Sequence, residues 1–308
     1  MKFKKVAILG AGAVGSYILW GLSQKPDIDL CVVAAGERKR RYEEQGFTIN
    51  DIIHRPAVKT PQEAHGADLI IVSTKYNSLQ DSLKDIEAVC GEHTTVMSLM
   101  NGIDSEDIIG ARVGMEKIVP SVIRVASERR DNCVRFNPDS TGVIYGETNP
   151  SRPKDRMKAM GEMFAGSGVK YRESAVIMSE IWSKFRMNIG DNLVQAILGV
   201  GVGAYKDSEH AGSLRKKLGA EVEALADAQG IDISLSVKPS GAVGSVPKRT
   251  RFSTLQDLDA GRPTEIEMFS GTIVRLGKEL GVPTPYNEFA YHIIKAMEEK
   301  NAGRFDYD

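Results

Sequence analysis

The chain has 308 residues, of which 42% are hydrophobic and 26% charged, and its formal net charge is -1. That length suits about two domains with ordinary packed cores, and the near-zero charge leaves no electrostatic footprint for nucleic acid. No apolar run approaches the roughly 18 residues needed to span a membrane. The three cysteines, Cys31, Cys90 and Cys133, are widely spaced and odd in number, which speaks for a reducing, cytoplasmic compartment and against a disulfide framework. No metal site is expected, because the histidines show no ligand spacing with one another or with cysteine.

The first predicted elements are a short strand at Val6–Leu9 and a helix at Val14–Leu22, joined by "GAGAVGS" from Gly10 to Ser16. A G-x-G-x-x-G pattern carries weight only between a strand and a helix, where each glycine has a task. Gly10 permits the turn, Gly12 lets the backbone approach a pyrophosphate, and Gly15 lets the helix pack on the strand. Ala11, Ala13 and Val14 complete the cradle. A nucleotide-free turn is the alternative. A signal peptide formed by "MKFKK" and the apolar run is disfavoured by the three glycines.

The next strand, Leu30–Val33, leads into "AAGERKRRY". NAD-binding units place an acid there for the ribose hydroxyl, whereas NADP sites carry arginine or open space. Ala34 and Ala35 stand where that acid belongs, and Arg38 is the cation nearest the strand end, so NADP(H) is favoured; Glu37 keeps NAD open. Further apolar runs at Leu69–Ser73, Thr95–Leu99, Ile118–Ile123 and Gly142–Glu147, with a short one near Val169, alternate with helical or polar stretches. That is the pattern of a parallel sheet with crossover helices. Ligands in such sheets sit beyond the carboxyl ends of the strands, which singles out Lys75 and Asn101.

Past "NPSRPKD" (149–155) and Ser179 the pattern turns helical, with segments at Ser179–Leu198, Ser213–Gln229, Thr264–Leu280 and Tyr286–Asn301 and a Pro/Gly/cation-rich loop, 236–252. The expected fold is therefore an α/β N-terminal Rossmann domain with a doubly wound, mostly parallel sheet over 1–175, and an all-α C-terminal domain over 176–308. The first is read as the NADP-binding domain and the second as the substrate and catalytic domain. In the first long helix Lys184, Asn188 and Asn192 fall at i, i+4 and i+8 and share one face. Beside them Ile181, Phe185 and Ile189 form an apolar stripe suited to packing on the first domain. A lysine so placed can act as a general acid or simply snorkel to solvent.

These motifs, together with "STLQDLDAGRPTEIE" at Ser253–Glu267 and "GVPTP" at Gly281–Pro285, resemble in order those of the ketopantoate (2-dehydropantoate) reductases over nearly the whole chain. The resemblance implies an NADPH-dependent reductase of a small 2-oxo acid, with the cofactor between a Rossmann and a helical domain. By it, Lys184 is the proton donor, and Glu265 holds cofactor or substrate and keeps Lys184 oriented and charged. Asn188, Asn192 and Ser253 bind substrate, Asn101 sits between nicotinamide and substrate, and Lys75 lies near the cofactor. Assembly as a homodimer stays open. Three departures bear on the substrate: Met100 where members show glutamine, Leu193 where they show proline, and Val202-Gly203 in place of a later Asn-Gly pair. A related hydroxy acid dehydrogenase and a non-catalytic NADP(H) sensor are the competing readings.

Overall fold

Val6, Ala7, Ile8 and Leu9 are all buried, Val6 and Ile8 in one apolar cluster and Ala7 and Leu9 in another. A strand that is apolar on both faces belongs inside a sheet covered on both sides, and the computed structural model places it there. The structure describes residues 1–130, 133–149, 151–152, 155–237, 247–305 and 307. The expected turn at 149–155 and loop at 236–252 therefore lie partly outside the described residues.

Two compact units divide the chain, Met1–Ile177 and Met178–Asp308. The first contains, in chain order, β1 (Lys5–Leu9), α1 (Ala13–Leu22), β2 (Asp29–Val33), α2 (Gly36–Gln45), β3 (Phe47–Ile49), β4 (Ile52–His54), β5 (Ala57–Lys59) and β6 (Leu69–Val72). There follow α3 (Leu79–Val89), β7 (Thr95–Ser98), α4 (Ser105–Val113), β8 (Ile118–Val119), β9 (Ser121–Arg124), β10 (Ser127–Arg130), β11 (Cys133–Phe136), β12 (Gly142–Tyr145), α5 (Asp155–Phe164) and β13 (Tyr171–Glu173). Six strands make an all-parallel sheet in the order β5-β2-β1-β6-β7-β8. The order reverses between β1 and β6, so this is a doubly wound sheet with its ligand crevice expected at that switch.

The single strand expected over Ile118–Ile123 is two strands. Pro120 offers no N–H to a ladder, and the chain leaves the parallel sheet after Val119 to enter, at Ser121, a three-stranded sheet of order β13-β12-β9. A third sheet, β10-β11-β3-β4, has no counterpart in the sequence reading. Its β3–β4 hairpin turns on Asn50 and Asp51, both at positive φ (46° and 67°), as a tight right-twisted hairpin requires.

The second unit is helical: α6 (Ile177–Leu198), α7 (Ala204–Asp207), α8 (Glu209–Ala228), α9 (Ser253–Asp259), α10 (Thr272–Leu280) and α11 (Pro285–Asn301), with α6 entering from the last residue of the first unit. The expected helix over Thr264–Leu280 begins instead as a π turn, Glu267–Gly271, where the Gly271 amide donates to the Ile266 carbonyl five residues back at 3.0 Å. A buried polar node holds this unit together. The Glu221 carboxylate of α8 accepts from the Tyr286 and Asn287 amides at 2.8 and 2.9 Å, capping α11, and from Asn287 Nδ2 at 2.7 Å. Asn287 Oδ1 in turn accepts from Ser270 Oγ of the π turn at 3.2 Å.

Candidate active site

The loop after β1 is shaped by two close approaches. Gly10 has φ +100°, and a Cβ there would lie 2.6 Å from the Ser73 carbonyl carbon and the Thr74 nitrogen. A Cβ on Gly15 would lie 2.0 Å from the Gly10 carbonyl oxygen. Ser73, at the end of β6, fixes the loop by donating its hydroxyl to the Gly10 carbonyl at 2.6 Å. Gly12 differs, since a Cβ there would meet nothing within 4 Å. It caps α1, whose first turn has neither a capping side chain nor an acid. The N-terminus of α1 thus begins at a residue with open space beside it and carries no side-chain cap. Such an N-terminus fits a cofactor's pyrophosphate. Ala11 is buried, and Ala13 and Val14 are half-buried in the same turn.

Past β2, Ala34 is buried and Ala35 caps α2 from an extended conformation. The four cations that follow are not equivalent. Lys39 donates to the Val58 carbonyl at 2.7 Å and pairs with Glu43 at 2.6 Å. Arg40 pairs with Glu37, the acid that kept NAD open, and Arg41 lies over the Tyr42 ring at 5.5 Å. Arg38 is exposed on the first turn of α2, and among the described residues no hydrogen bond or ion pair engages its guanidinium.

Lys75 and Asn101 follow the adjacent parallel strands β6 and β7. Lys75 is exposed and opens the short 3-10 turn Tyr76–Ser78. Asn101 is half-buried and precedes Gly102, whose φ of +97° makes the turn into α4. Met100, the departure beside it, is buried, and its sulfur accepts from Thr74 Oγ1 at 3.6 Å.

In the helical unit Lys184 and Asn188 are half-buried and Asn192 is buried along one face of α6. In the neighbouring apolar stripe Phe185 stacks on Phe269 of the helical unit, with ring centroids 6.3 Å apart. Leu193 is fully buried, and α6 runs unbroken past it to Leu198. Ser253 is the exposed first residue of α9. It is tied to α6 by Gln195, a buried residue that the sequence reading does not single out. Gln195 Nε2 donates to the Thr250 carbonyl at 3.2 Å, and its Oε1 accepts from the Phe252 amide at 2.9 Å. Val202 joins the same segment through its amide, which donates to Thr250 O at 3.0 Å. Glu265 is half-buried just ahead of the π turn, a distortion frequent at functional sites. Its neighbour Thr264 is held by Glu298 of α11, whose Oε1 accepts from the Thr264 amide and hydroxyl at 2.7 and 2.6 Å.

Among the described residues no group of three or more His, Cys, Asp or Glu could hold a metal ion, and no helix is long and apolar enough to cross a membrane. A doubly wound sheet with an open glycine cradle, followed by a helical unit, defines a dinucleotide-binding protein of the Rossmann class. Residues 6–149 match the family described as ketopantoate reductase PanE/ApbA, and residues 176–298 its C-terminal part. The chain belongs to the ketopantoate reductase family, a family of NADPH-dependent oxidoreductases acting on CH–OH groups.

It is 26% identical to a 2-dehydropantoate 2-reductase of Mesorhizobium japonicum, with 95% of this chain and 97% of the relative covered. The solved structure of a PanE/ApbA family ketopantoate reductase from Ralstonia eutropha JMP134 superposes with a TM-score of 0.80 at 25% identity, covering 97% of this chain and 99% of that one. A D-mandelate dehydrogenase solved with NADH and anilino(oxo)acetate shares the fold, with a TM-score of 0.83 at 24% identity over 97% and 99% of the two chains.

Proposed function

We propose that this protein reduces 2-dehydropantoate to pantoate with NADPH and that Lys184 is the proton donor. The observation that carries the reading is the row of Lys184, Asn188 and Asn192 on one face of α6 in a member of this family. The bound cofactor supplies the hydride to the ketone carbon. Charge then develops on the ketone oxygen, and the Lys184 ammonium stabilises it and donates a proton, which solvent later replaces. Glu265 holds cofactor or substrate and keeps Lys184 oriented and charged.

Asn188, Asn192 and Ser253 supply hydrogen bonds to the carboxylate and hydroxyl of the substrate. Gly10 to Gly15 cradle the pyrophosphate, Arg38 pairs with the 2′-phosphate, Lys75 lies near the cofactor, and Asn101 acts between nicotinamide and substrate. In this scheme 1–175 is the cofactor domain and 176–308 the substrate and catalytic domain, working in the cytoplasm and assembling as a homodimer. Following NADPH absorbance with 2-dehydropantoate tests the scheme directly. Turnover supports it, and no turnover removes the named substrate.

A second reading keeps cofactor and lysine and changes the substrate to another 2-oxo acid. The departures at Met100, Leu193 and Val202 favour it. A screen of branched and aromatic 2-oxo acids separates the two.

A further inference from the structure

Beneath the turn that carries Asn101 runs a chain of hydroxyls ending on a carboxylate. The Met100 amide donates to Ser98 Oγ at 3.4 Å, Ser98 Oγ lies 2.7 Å from Ser105 Oγ, and Ser105 Oγ lies 2.7 Å from Glu106 Oε2. Ser98 and Ser105 are both buried, so neither has solvent as an alternative partner. Ser105 Oγ has a single proton and gives it to Glu106 Oε2, and that sets the direction of the other links. Ser98 donates to Ser105, and Ser98 Oγ is left to accept from the Met100 amide.

A further contact ties in the break after Pro120: Ser121 Oγ donates to the Ser98 carbonyl at 2.8 Å. The hydroxyls of Ser98, Ser105 and Ser121, with the Glu106 carboxyl at the end of the chain, therefore join the end of β7, the start of α4 and the break after Pro120. These are the pieces that hold the Asn101-Gly102 turn from below. Glu106 is half-buried, and desolvation is the chief cause that pushes its carboxyl up to about 7.

We infer that Glu106 is a positioning residue for Asn101, acting through Ser105 and Ser98 to fix the turn from which the Asn101 side chain projects. This rests on the proposed placement of Asn101 between nicotinamide and substrate. Glu106 touches neither; it sets how precisely Asn101 is aimed. Misplacement of a reacting-centre group by about 1 Å can cost on the order of a hundredfold in rate, so loosening the turn lowers kcat, while the pyrophosphate cradle, held by the Ser73–Gly10 bond, keeps its affinity.

The experiment is a double-mutant cycle on the full chain, read as kcat and KM with NADPH and 2-dehydropantoate and as NADPH affinity by fluorescence. The variants are Glu106→Gln, Asn101→Ala and both together, with Ser105→Ala as a second way to cut the chain while keeping the carboxyl. The expected result is a fall in kcat of about tenfold to a hundredfold for Glu106→Gln and for Ser105→Ala, with NADPH affinity unchanged. In the Asn101→Ala background Glu106→Gln should then have little further effect, which a merely structural role would not produce. Equal losses from Glu106→Gln in both backgrounds, or wild-type kcat in Glu106→Gln and Ser105→Ala while Asn101→Ala is impaired, overturn the inference and leave the placement of Asn101 standing. Wild-type kinetics in Asn101→Ala overturn that placement itself, and the inference falls with it.

Discussion

Gly15 sits against Gly10 so closely that a single methyl group at position 15 would overlap the Gly10 carbonyl oxygen, at 2.0 Å. Two residues of one loop are thereby locked, while Gly12 between them remains in open space. The two kinds of glycine should fail differently. Gly15→Ala overpacks the α1–β1 junction and is expected to lower stability by about 1 to 3 kcal/mol or more. Gly12→Ala should melt within about 0.5 kcal/mol of wild type but bind NADPH at least about tenfold more weakly, a loss of about 1.4 kcal/mol. Thermal melts alongside cofactor titration check both.

In the proposed scheme the 2′-phosphate falls to Arg38, because its neighbours Lys39 and Arg40 are already paired with Glu43 and Glu37. Charge-assisted hydrogen bonds contribute about 1.5 to 3 kcal/mol, so Arg38→Ala should weaken NADPH by roughly ten- to a hundredfold and leave NADH nearly unchanged. Fluorescence titration of both reduced cofactors decides this. Wild-type protein that binds NADH as tightly as NADPH would refute the assignment.

Lys184→Ala should reduce kcat by about 10² to 10⁴-fold, the usual contribution of a general acid, with NADPH affinity intact. Steady-state kinetics paired with cofactor binding separates that outcome from a cofactor role, in which binding would be lost.

Gln195 links α6 to the segment entering α9 through its two hydrogen bonds to residues 250 and 252. Gln195→Ala strands those backbone groups, at a cost of about 1 to 3 kcal/mol. It should raise KM for the oxo acid through Ser253 while sparing NADPH binding. An unchanged KM would show that Gln195 does not set the position of Ser253 for substrate.

Glu106 also carries a stability signature. Its folded value of about 7 lies above the ordinary 4.5, so the native state holds this proton more tightly than the unfolded chain does. The favourable contribution is complete below pH 4.5 and is lost as pH rises to about 7. Glu106→Gln, which cannot ionise, should match wild type in acid and exceed it by about 1 to 3 kcal/mol above neutrality. Urea melts across this range measure the difference; a gap that does not grow with pH would count against it.

The central sheet was legible because β1 and β6 are buried on both faces and so read as apolar runs, Val6–Leu9 and Leu69–Val72, with β7 a short β-rich run beside them. The shared face of Lys184, Asn188 and Asn192 followed from helical spacing alone. The third sheet escaped because β3 and β4 are three residues long and β10 and β11 four, too short for alternation to show. Gln195 was invisible for another reason: its partners are backbone groups 55 and 57 residues away, and side-chain patterns carry no trace of them. The sequence analysis does not single out Glu106, because its link to Ser98 passes through the buried Ser105 hydroxyl and leaves no trace in side-chain spacing.

The parallel pairing of β3 with β11, Thr48 with Cys133 and Ile49 with Val134, has a kinetic consequence. The segment between these partners contains β6 and β7, the middle of the parallel sheet, so the pairing closes a long loop whose entropy must be met before the contact returns anything. The β3–β4 hairpin is only marginally stable by itself. This small sheet should therefore assemble after the parallel sheet has brought its ends together. Its amides should be among the first of the unit to exchange with solvent when the native protein opens locally.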